Sequence, residues 1–209
     1  MNILHIDSSV LGTASASREI SAAAMRVIRN AVPDAKVTYR DFSTNAPAHL
    51  NPTIVASLRP QAGAQPGDDP GADEQIRLTE TLITEFLAAD LVVIGAPMYN
   101  FSIPSSLKAW IDRIAQSGRT FRYTAQGPVG LAGDKKVIII SSRGSALTGT
   151  PYEAALDHQE AYLKTVMGFF GIKDVTVIRA EGLALSPESR QVAIARALQE
   201  SESLHQVFA

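Results

Sequence analysis

Apolar positions along the chain follow two rhythms that take turns. Leu91–Ile94 and Val137–Ile140 are continuous apolar runs, as expected of strands buried on both faces, and the brief apolar run Asn2–Asp7 and Val175–Arg179 predict two further strands. Lys36–Asp41 alternates polar and apolar residues instead, which predicts an edge strand with one wet face. Between these runs apolar residues recur at helical spacing. Ile20, Ala24, Val27 and Ala31 form one stripe over Ser17–Asn30, and Ile76, Thr79, Ile83, Phe86 and Leu87 another over Asp73–Ala88. Pro104–Ser117 opens with proline in its first turn and aligns Leu107, Trp110, Ile111 and Ile114, so Trp110 is expected in the core. Glu153–Phe170 predicts a long helix and Pro187–Leu204 a terminal one, while Ser17 is the expected N-cap of the first helix.

Strand and helix thus alternate about five times, which implies a parallel sheet covered by helices on both faces. With right-handed crossovers, the simplest assignment is a flavodoxin-like, doubly wound α/β fold whose five-stranded parallel sheet runs in the order 2-1-3-4-5. One domain over residues 1–209 is expected, with two interruptions of the pattern. Residues 43–71 carry Pro47, Pro52, Pro60, Pro66 and Pro70 and predict a long surface excursion, with a short helix around Ile54–Leu58. Residues 119–133 alternate and then turn at Gln126-Gly127-Pro128, which predicts a small hairpin.

Composition removes several classes of function. The absence of cysteine excludes a thiolate nucleophile, an iron–sulfur cluster and cysteine-ligated zinc. Histidines stand at 5, 49, 158 and 205 without metal-ligand spacing, so no metal is expected. A net charge of −2 without basic runs is not the footprint of a nucleic-acid binder. No apolar stretch approaches the roughly 20 residues of a membrane span, and Met1–Asp7 lacks signal-peptide character, so a cytoplasmic protein is expected.

In such a sheet ligands bind beyond the carboxyl ends of the strands, where the strand order reverses. Three loops must meet there. Ser8–Ser17 is rich in hydroxyls and leads into a helix, a natural anion site, although Ser15 and Ser17 would also serve as simple caps. It has neither a P-loop nor a GxGxxG pattern, which leaves a single phosphate monoester as the ligand it suits. Pro97-Met98-Tyr99-Asn100-Phe101-Ser102-Ile103-Pro104 puts two aromatic residues and a methionine in a turn usually given to small residues. That is either a platform for a flat aromatic ligand or an apolar plug over the sheet. Ser141–Gly149 has Gly144 for close backbone approach, consecutive amides for a negative edge, and Arg143 as a source of positive potential. Asp157-His158 with Glu153 and Glu160 reads as a solvated helix face. No GxSxG elbow or Ser–His–acid set is present, so no side chain is assigned catalysis and the chemistry falls to a bound cofactor.

The serine loop, Ala96-Pro97-Met98-Tyr99-Asn100-Phe101, Phe121-Arg122-Tyr123, Ser142-Arg143-Gly144 and Gly168-Phe169-Phe170-Gly171-Ile172 together resemble the FMN-dependent NADH-azoreductases, relatives of the NAD(P)H quinone oxidoreductases. The resemblance spans the chain in order. It implies a homodimer with an FMN in each of two interface sites, NADH as hydride donor, and quinones or azo compounds as acceptors in a ping-pong cycle. By position it assigns the FMN phosphate to Ser9, Ser15, Ala16 and Ser17. The isoalloxazine and ribityl chain fall to Pro97, Met98, Tyr99, Asn100 and Phe101, and the pyrimidine edge to Ser142, Arg143, Gly144 and Ser145. Phe121 and Tyr123 would cover the ring or its substrate. Ser145 stands where many relatives have glycine and Leu147 where some have histidine, so no histidine proton donor is implied. The alternatives are a non-enzymatic FMN electron carrier, against which the near-neutral charge argues, and an interaction module without cofactor. Arg59 in the proline-rich stretch is within plausible reach of the site.

Overall fold

A computed structural model describes residues 1–59 and 62–207; Pro60, within the proline-rich stretch, and the last two positions of the chain lie outside the described residues. The main sheet is parallel, with strands β1 (Asn2–Asp7), β2 (Lys36–Asp41), β3 (Leu91–Pro97), β6 (Lys136–Ser142) and β7 (Asp174–Ala180) in the order β2-β1-β3-β6-β7. Counting only these five strands, that is the expected 2-1-3-4-5. A separate antiparallel pair, β4 (Phe121–Thr124) and β5 (Gly127–Gly130), forms the hairpin.

The central strands bury both faces because their side chains alternate between two apolar layers. Val92, Ile94, Val137 and Ile139 point into a layer built with Leu82 and Phe86 of α3 (Ala72–Ala88), Trp110 and Ile114 of α4 (Ser105–Ile114), and Leu163 and Met167 of α6 (Glu160–Phe169). Leu91, Val93, Ile138 and Ile140 face the other, against Ile20, Ala24 and Ile28 of α1 (Ala16–Ala31) and Ala197 of α7 (Pro187–Glu202). Trp110 is fully buried, edge-on to Phe86 at 5.7 Å.

Four sequence expectations need correction. The N-cap of α1 is Ser15, whose Oγ accepts the Arg18 amide at 3.2 Å; Ser17 lies inside the first turn. The fourth apolar helix, expected to run to Ser117, ends at Ile114. The expected helix over 153–170 breaks into a short α5 (Glu153–Leu156) and α6, because Asp157 intervenes and its Oδ1 accepts the Gln159 and Glu160 amides. The carboxylates of that segment are not a solvated face either: Glu160 is buried and Asp157 half-buried, both turned toward Arg143.

The proline-rich stretch contains α2 (Pro52–Leu58), capped by Asn51, whose Ile54 is fully buried. Buried Arg113 of α4 ties the stretch down by donating to the Ala48 carbonyl at 2.6 Å and the Thr79 hydroxyl at 2.8 Å. The hairpin rests on the end of α6, where a Cβ at Gly130 would sit 2.1 Å from the Gly171 nitrogen. Only glycine permits that approach, and it fixes where Phe121 and Tyr123 stand.

Candidate active site

The three expected loops converge at the carboxyl ends of β1, β3 and β6 around a cleft of about 200 Å³. Ser9, Ser15, Ala16, Pro97, Met98, Tyr99, Ser142, Arg143 and Gly144 line it, joined by Leu11, Leu183, Ala184 and Arg190.

The first loop is pinned to β3 by Ser8, whose amide and hydroxyl both donate to the Gly95 carbonyl. A tight turn over Gly12–Ala14, with Gly12 at φ +55°, then delivers Ser15 to the head of α1. Ser15 and Ser17 are almost completely buried, with their hydroxyls 3.1 Å apart. The Ala16 and Ser17 amides begin the helix, where no intrahelical acceptor exists. Ser15, Ala16 and the positive end of a long helix thus line one end of the cleft, with the Ser17 hydroxyl behind Ser15 and outside the lining.

In the second loop Tyr99 and Ser102 exchange backbone hydrogen bonds of 2.8 and 3.1 Å. The residues between them, Asn100 and Phe101, take φ of +48° and +71°. Both central positions of such a turn favour glycine or asparagine, and a phenylalanine there is strained by about 1–3 kcal/mol. The turn is braced by the Met98 amide donating to the Ser142 carbonyl at 2.7 Å and the His158 amide donating to the Phe101 carbonyl at 3.1 Å. It also bridges to the first loop. The Tyr99 hydroxyl accepts the Val10 amide at 3.1 Å and shares a 3.2 Å hydrogen bond with Ser9 Oγ. Asn100 and Phe101 form the exposed rim rather than the lining.

The third loop is held from beneath. Arg143 is fully buried; its guanidinium reaches Asp157 Oδ2 at 3.1 Å, Glu181 Oε1 at 3.4 Å, the Ser141 hydroxyl at 3.1 Å and the Glu160 carboxylate. The expected positive potential from this residue is therefore absent: carboxylates engage its charge, and it acts as a post for the loop. Glu181 extends the post by accepting the Leu147 and Thr148 amides at 3.1 and 3.2 Å. Burial raises the Glu181 pKa, but hydrogen bonds from Thr148 and Leu147 and the Arg143 charge outweigh it and leave the carboxyl below its usual value. The Arg143, Gly144 and Ser145 carbonyls are satisfied by the Leu183, Ala184 and Gly182 amides. The Gly144, Ser145 and Ala146 amides, by contrast, donate to no protein acceptor among the described residues, a run of donors suited to a negative edge.

Phe121 and Tyr123 lie elsewhere. With Leu58, Arg59, Ala115, Ser117 and Phe169 they line a second cavity of about 370 Å³ under the hairpin. Phe121 is buried with its ring 4.5 Å from that of Phe169, whereas Tyr123 is 73% exposed. Arg59 thus joins the hairpin rather than the three-loop cleft, donating to the Ala115 carbonyl at 3.4 Å. Sequence reading missed Leu183, Ala184, Glu181 and Arg190 altogether. They follow the fifth strand of the sheet, and the only available signal was that this strand also ends on the ligand side.

At the same end of the sheet His5 is buried beside Asp7, with Nε2 3.7 Å from Asp7 Oδ2 and its ring 4.9 Å from that of Tyr39. Burial lowers its pKa below 6.5; Asp7 opposes that shift, and Arg18 and Arg29 reinforce it. The unfolded chain therefore takes up a proton that the folded chain resists. The His5 contribution to stability is complete above pH 6.5 and is expected to be lost progressively as pH falls below it. Urea midpoints measured from pH 7.5 to 5.5 check this, and His5→Gln is expected to flatten that part of the profile.

Comparison with known proteins agrees with this fold. A family model described as a flavodoxin-like fold matches residues 1–204. The chain is 53% identical to the FMN-dependent NADH:quinone oxidoreductase of Azospirillum brasilense over 98% of its length and 97% of the relative's. It is also 53% identical to FMN-dependent NADH:quinone oxidoreductase 2 of Pseudomonas aeruginosa, over 94% of its length and 95% of the relative's. The chain belongs to this family. Among solved structures, an azoreductase from Bacillus anthracis superposes with a TM-score of 0.86 at 25% identity, covering 99% of both chains. A B. anthracis FMN-dependent NADH-azoreductase in complex with FMN shares the fold at a TM-score of 0.86 and 24% identity over the full length of both chains. As in the family, the chain is an FMN-dependent oxidoreductase. Among the described residues no helix is long and apolar enough to cross a membrane, and no cluster of side chains could hold a metal ion.

Proposed function

We propose that this protein passes hydride from NADH, through FMN held in the three-loop cleft, to quinones and azo compounds. The observation that carries this reading is the meeting of a hydroxyl-lined helix N-terminus, an aromatic turn and a run of unengaged amides along one cleft. Those three features match the phosphate, the flat ring and the electron-accepting edge of a flavin mononucleotide in order. Ser9, Ser15, Ala16 and Ser17 would hold the phosphate, and Pro97, Met98 and Tyr99 would flank the ring, with Asn100 and Phe101 at its rim. Gly144 and Ser145 would present their amides to the pyrimidine edge, Ser142 and Arg143 anchoring them. When bound, FMN supplies the two-electron exchange between a nicotinamide and an acceptor.

The chain's own part is orientation and electrostatics. Fixed third-loop amides favour negative charge at the ring edge without having to reorganise when that charge develops. Tyr99, tethered to Ser9 and Val10, keeps the platform and the phosphate end in register. No side-chain acid is assigned, because water can protonate the product. A non-enzymatic carrier is disfavoured, since the curated relatives at about 50% identity are named as enzymes.

The reading extends to a cytoplasmic homodimer. Tyr123 and Phe101 are 73% and 50% exposed, and Val129 and Leu131 of the hairpin are each 41% exposed, an apolar set that a second copy would cover. In that dimer a partner hairpin bearing Tyr123 would cover the exposed rim of the cleft formed by Asn100 and Phe101. Tyr123→Ala is then expected to raise the KM for a quinone several-fold while leaving FMN affinity unchanged. Initial rates beside a flavin titration check this, and equal loss of both would place Tyr123 with the cofactor instead. The overall reading is tested by NADH oxidation with a benzoquinone by the FMN-loaded protein. Parallel double-reciprocal lines are expected, and absence of NADH consumption would contradict the assignment.

A further inference from the structure

We infer that Arg190 of α7 is a phosphate-binding side chain that makes the site selective for the phosphorylated flavin. This rests on the flavin reading above. A phosphate monoester carries up to two negative charges, yet Ser8–Ser17 contains no lysine or arginine. The two other cations close by are already engaged. Arg18 pairs with Asp41 at 2.9 Å and lies 3.6 Å from Asp7, and Arg143 is surrounded by Asp157, Glu160 and Glu181. Arg190 differs from both. It lines the cleft, it is half-buried, and among the described residues no carboxylate lies within ion-pair distance of it.

Its position is set by one contact. The guanidinium donates through Nη2 to the Ala14 carbonyl at 3.0 Å, one residue before Ser15. That bond crosses from α7 to the turn that presents the Ser15 and Ser17 hydroxyls. It uses one of five guanidinium donors, leaving the rest for a ligand. A charged fork held in place by a backbone carbonyl loses little side-chain freedom on binding and matches the geometry of phosphate oxygens. The neutral hydroxyls and amides recognise shape, and Arg190 adds the charge they lack.

The prediction separates FMN from riboflavin, which has the same ring and ribityl chain without the phosphate. Apoprotein is titrated with each flavin, following quenching of flavin fluorescence, for wild type, Arg190→Gln and Arg190→Lys. Arg190→Gln is expected to weaken FMN binding about tenfold or more, as for loss of a charge-assisted hydrogen bond, with riboflavin binding unchanged within about twofold. Arg190→Lys is expected to recover much of the loss. The wild-type FMN dissociation constant should rise with added KCl more steeply than that of Arg190→Gln. Equal weakening of both flavins would make Arg190 only a clasp on the Gly12–Ala14 turn, and no weakening of FMN would remove it from the site; either overturns the inference while the flavin reading stands. Wild-type protein that binds neither flavin would overturn both. Should Arg190→Gln fold poorly, the lysine variant and the wild-type salt dependence decide the matter.

Discussion

Arg143→Met is expected to destabilise the protein by roughly 3–5 kcal/mol, the cost of removing one partner from a buried ion network. The guanidinium is fully buried among Asp157, Glu160 and Glu181, whose side chains are 11%, 4% and 18% exposed. Attraction offsets the burial of these charges only while the cation is present. Arg179 remains on Glu160, with Nη2 to Oε2 at 2.7 Å, so Asp157 and Glu181 are left in greater deficit. Urea denaturation of the variant checks the magnitude. Arg143→Lys should fall between the two, because one ammonium cannot reproduce a planar fork that serves several acceptors. The loss reaches the cleft as well: Glu181, no longer balanced by Arg143, is the acceptor that orders the Leu147 and Thr148 amides. Faster hydrogen exchange at the Leu147 and Thr148 amides is therefore expected. A methionine variant as stable as wild type would mean that the carboxylates do not depend on Arg143.

The second large effect is expected at the phosphate end. Ser15→Ala combined with Ser17→Ala should weaken FMN binding by about a hundredfold or more, each hydroxyl contributing roughly 1.5–3 kcal/mol toward a charged ligand. Ser15 also caps α1, and losing the cap costs about 1 kcal/mol of helix stability. Ser17 is free of that role and is bonded through its hydroxyl to Ser15. Ser17→Ala alone should therefore lower affinity with little change in the urea midpoint. An intact FMN affinity in the double variant, measured by fluorescence quenching, would take the phosphate away from this helix end.

The layers of the fold were legible because their signal is local. Leu91–Ile94 and Val137–Ile140 are apolar at every position, since both faces of their strands are covered, and the stripes of α1 and α4 repeat at helical spacing. The loops that meet at the cleft could be named because strand order fixes where they lie. What sequence did not disclose depends on contacts across the fold. Asp157 and Glu160 look like ordinary exposed charges until packing buries them against Arg143. The break between α5 and α6 has no proline or glycine to announce it; it follows from Asp157 capping the next helix. Arg190 stands 176 residues from the carbonyl it grips, beyond any spacing rule. Phe121 and Tyr123 could be placed on a hairpin, but the cavity they share with Arg59 is visible only in the folded chain.

The measurement closest to the central claim is the visible absorption of FMN-reconstituted protein before and after anaerobic NADH, followed by a quinone. Flavin absorption that bleaches with NADH and returns on adding the quinone is the expected result. Flavin that stays oxidised in the presence of NADH would contradict hydride transfer in this cleft, and protein that remains colourless after reconstitution would contradict the flavin site itself.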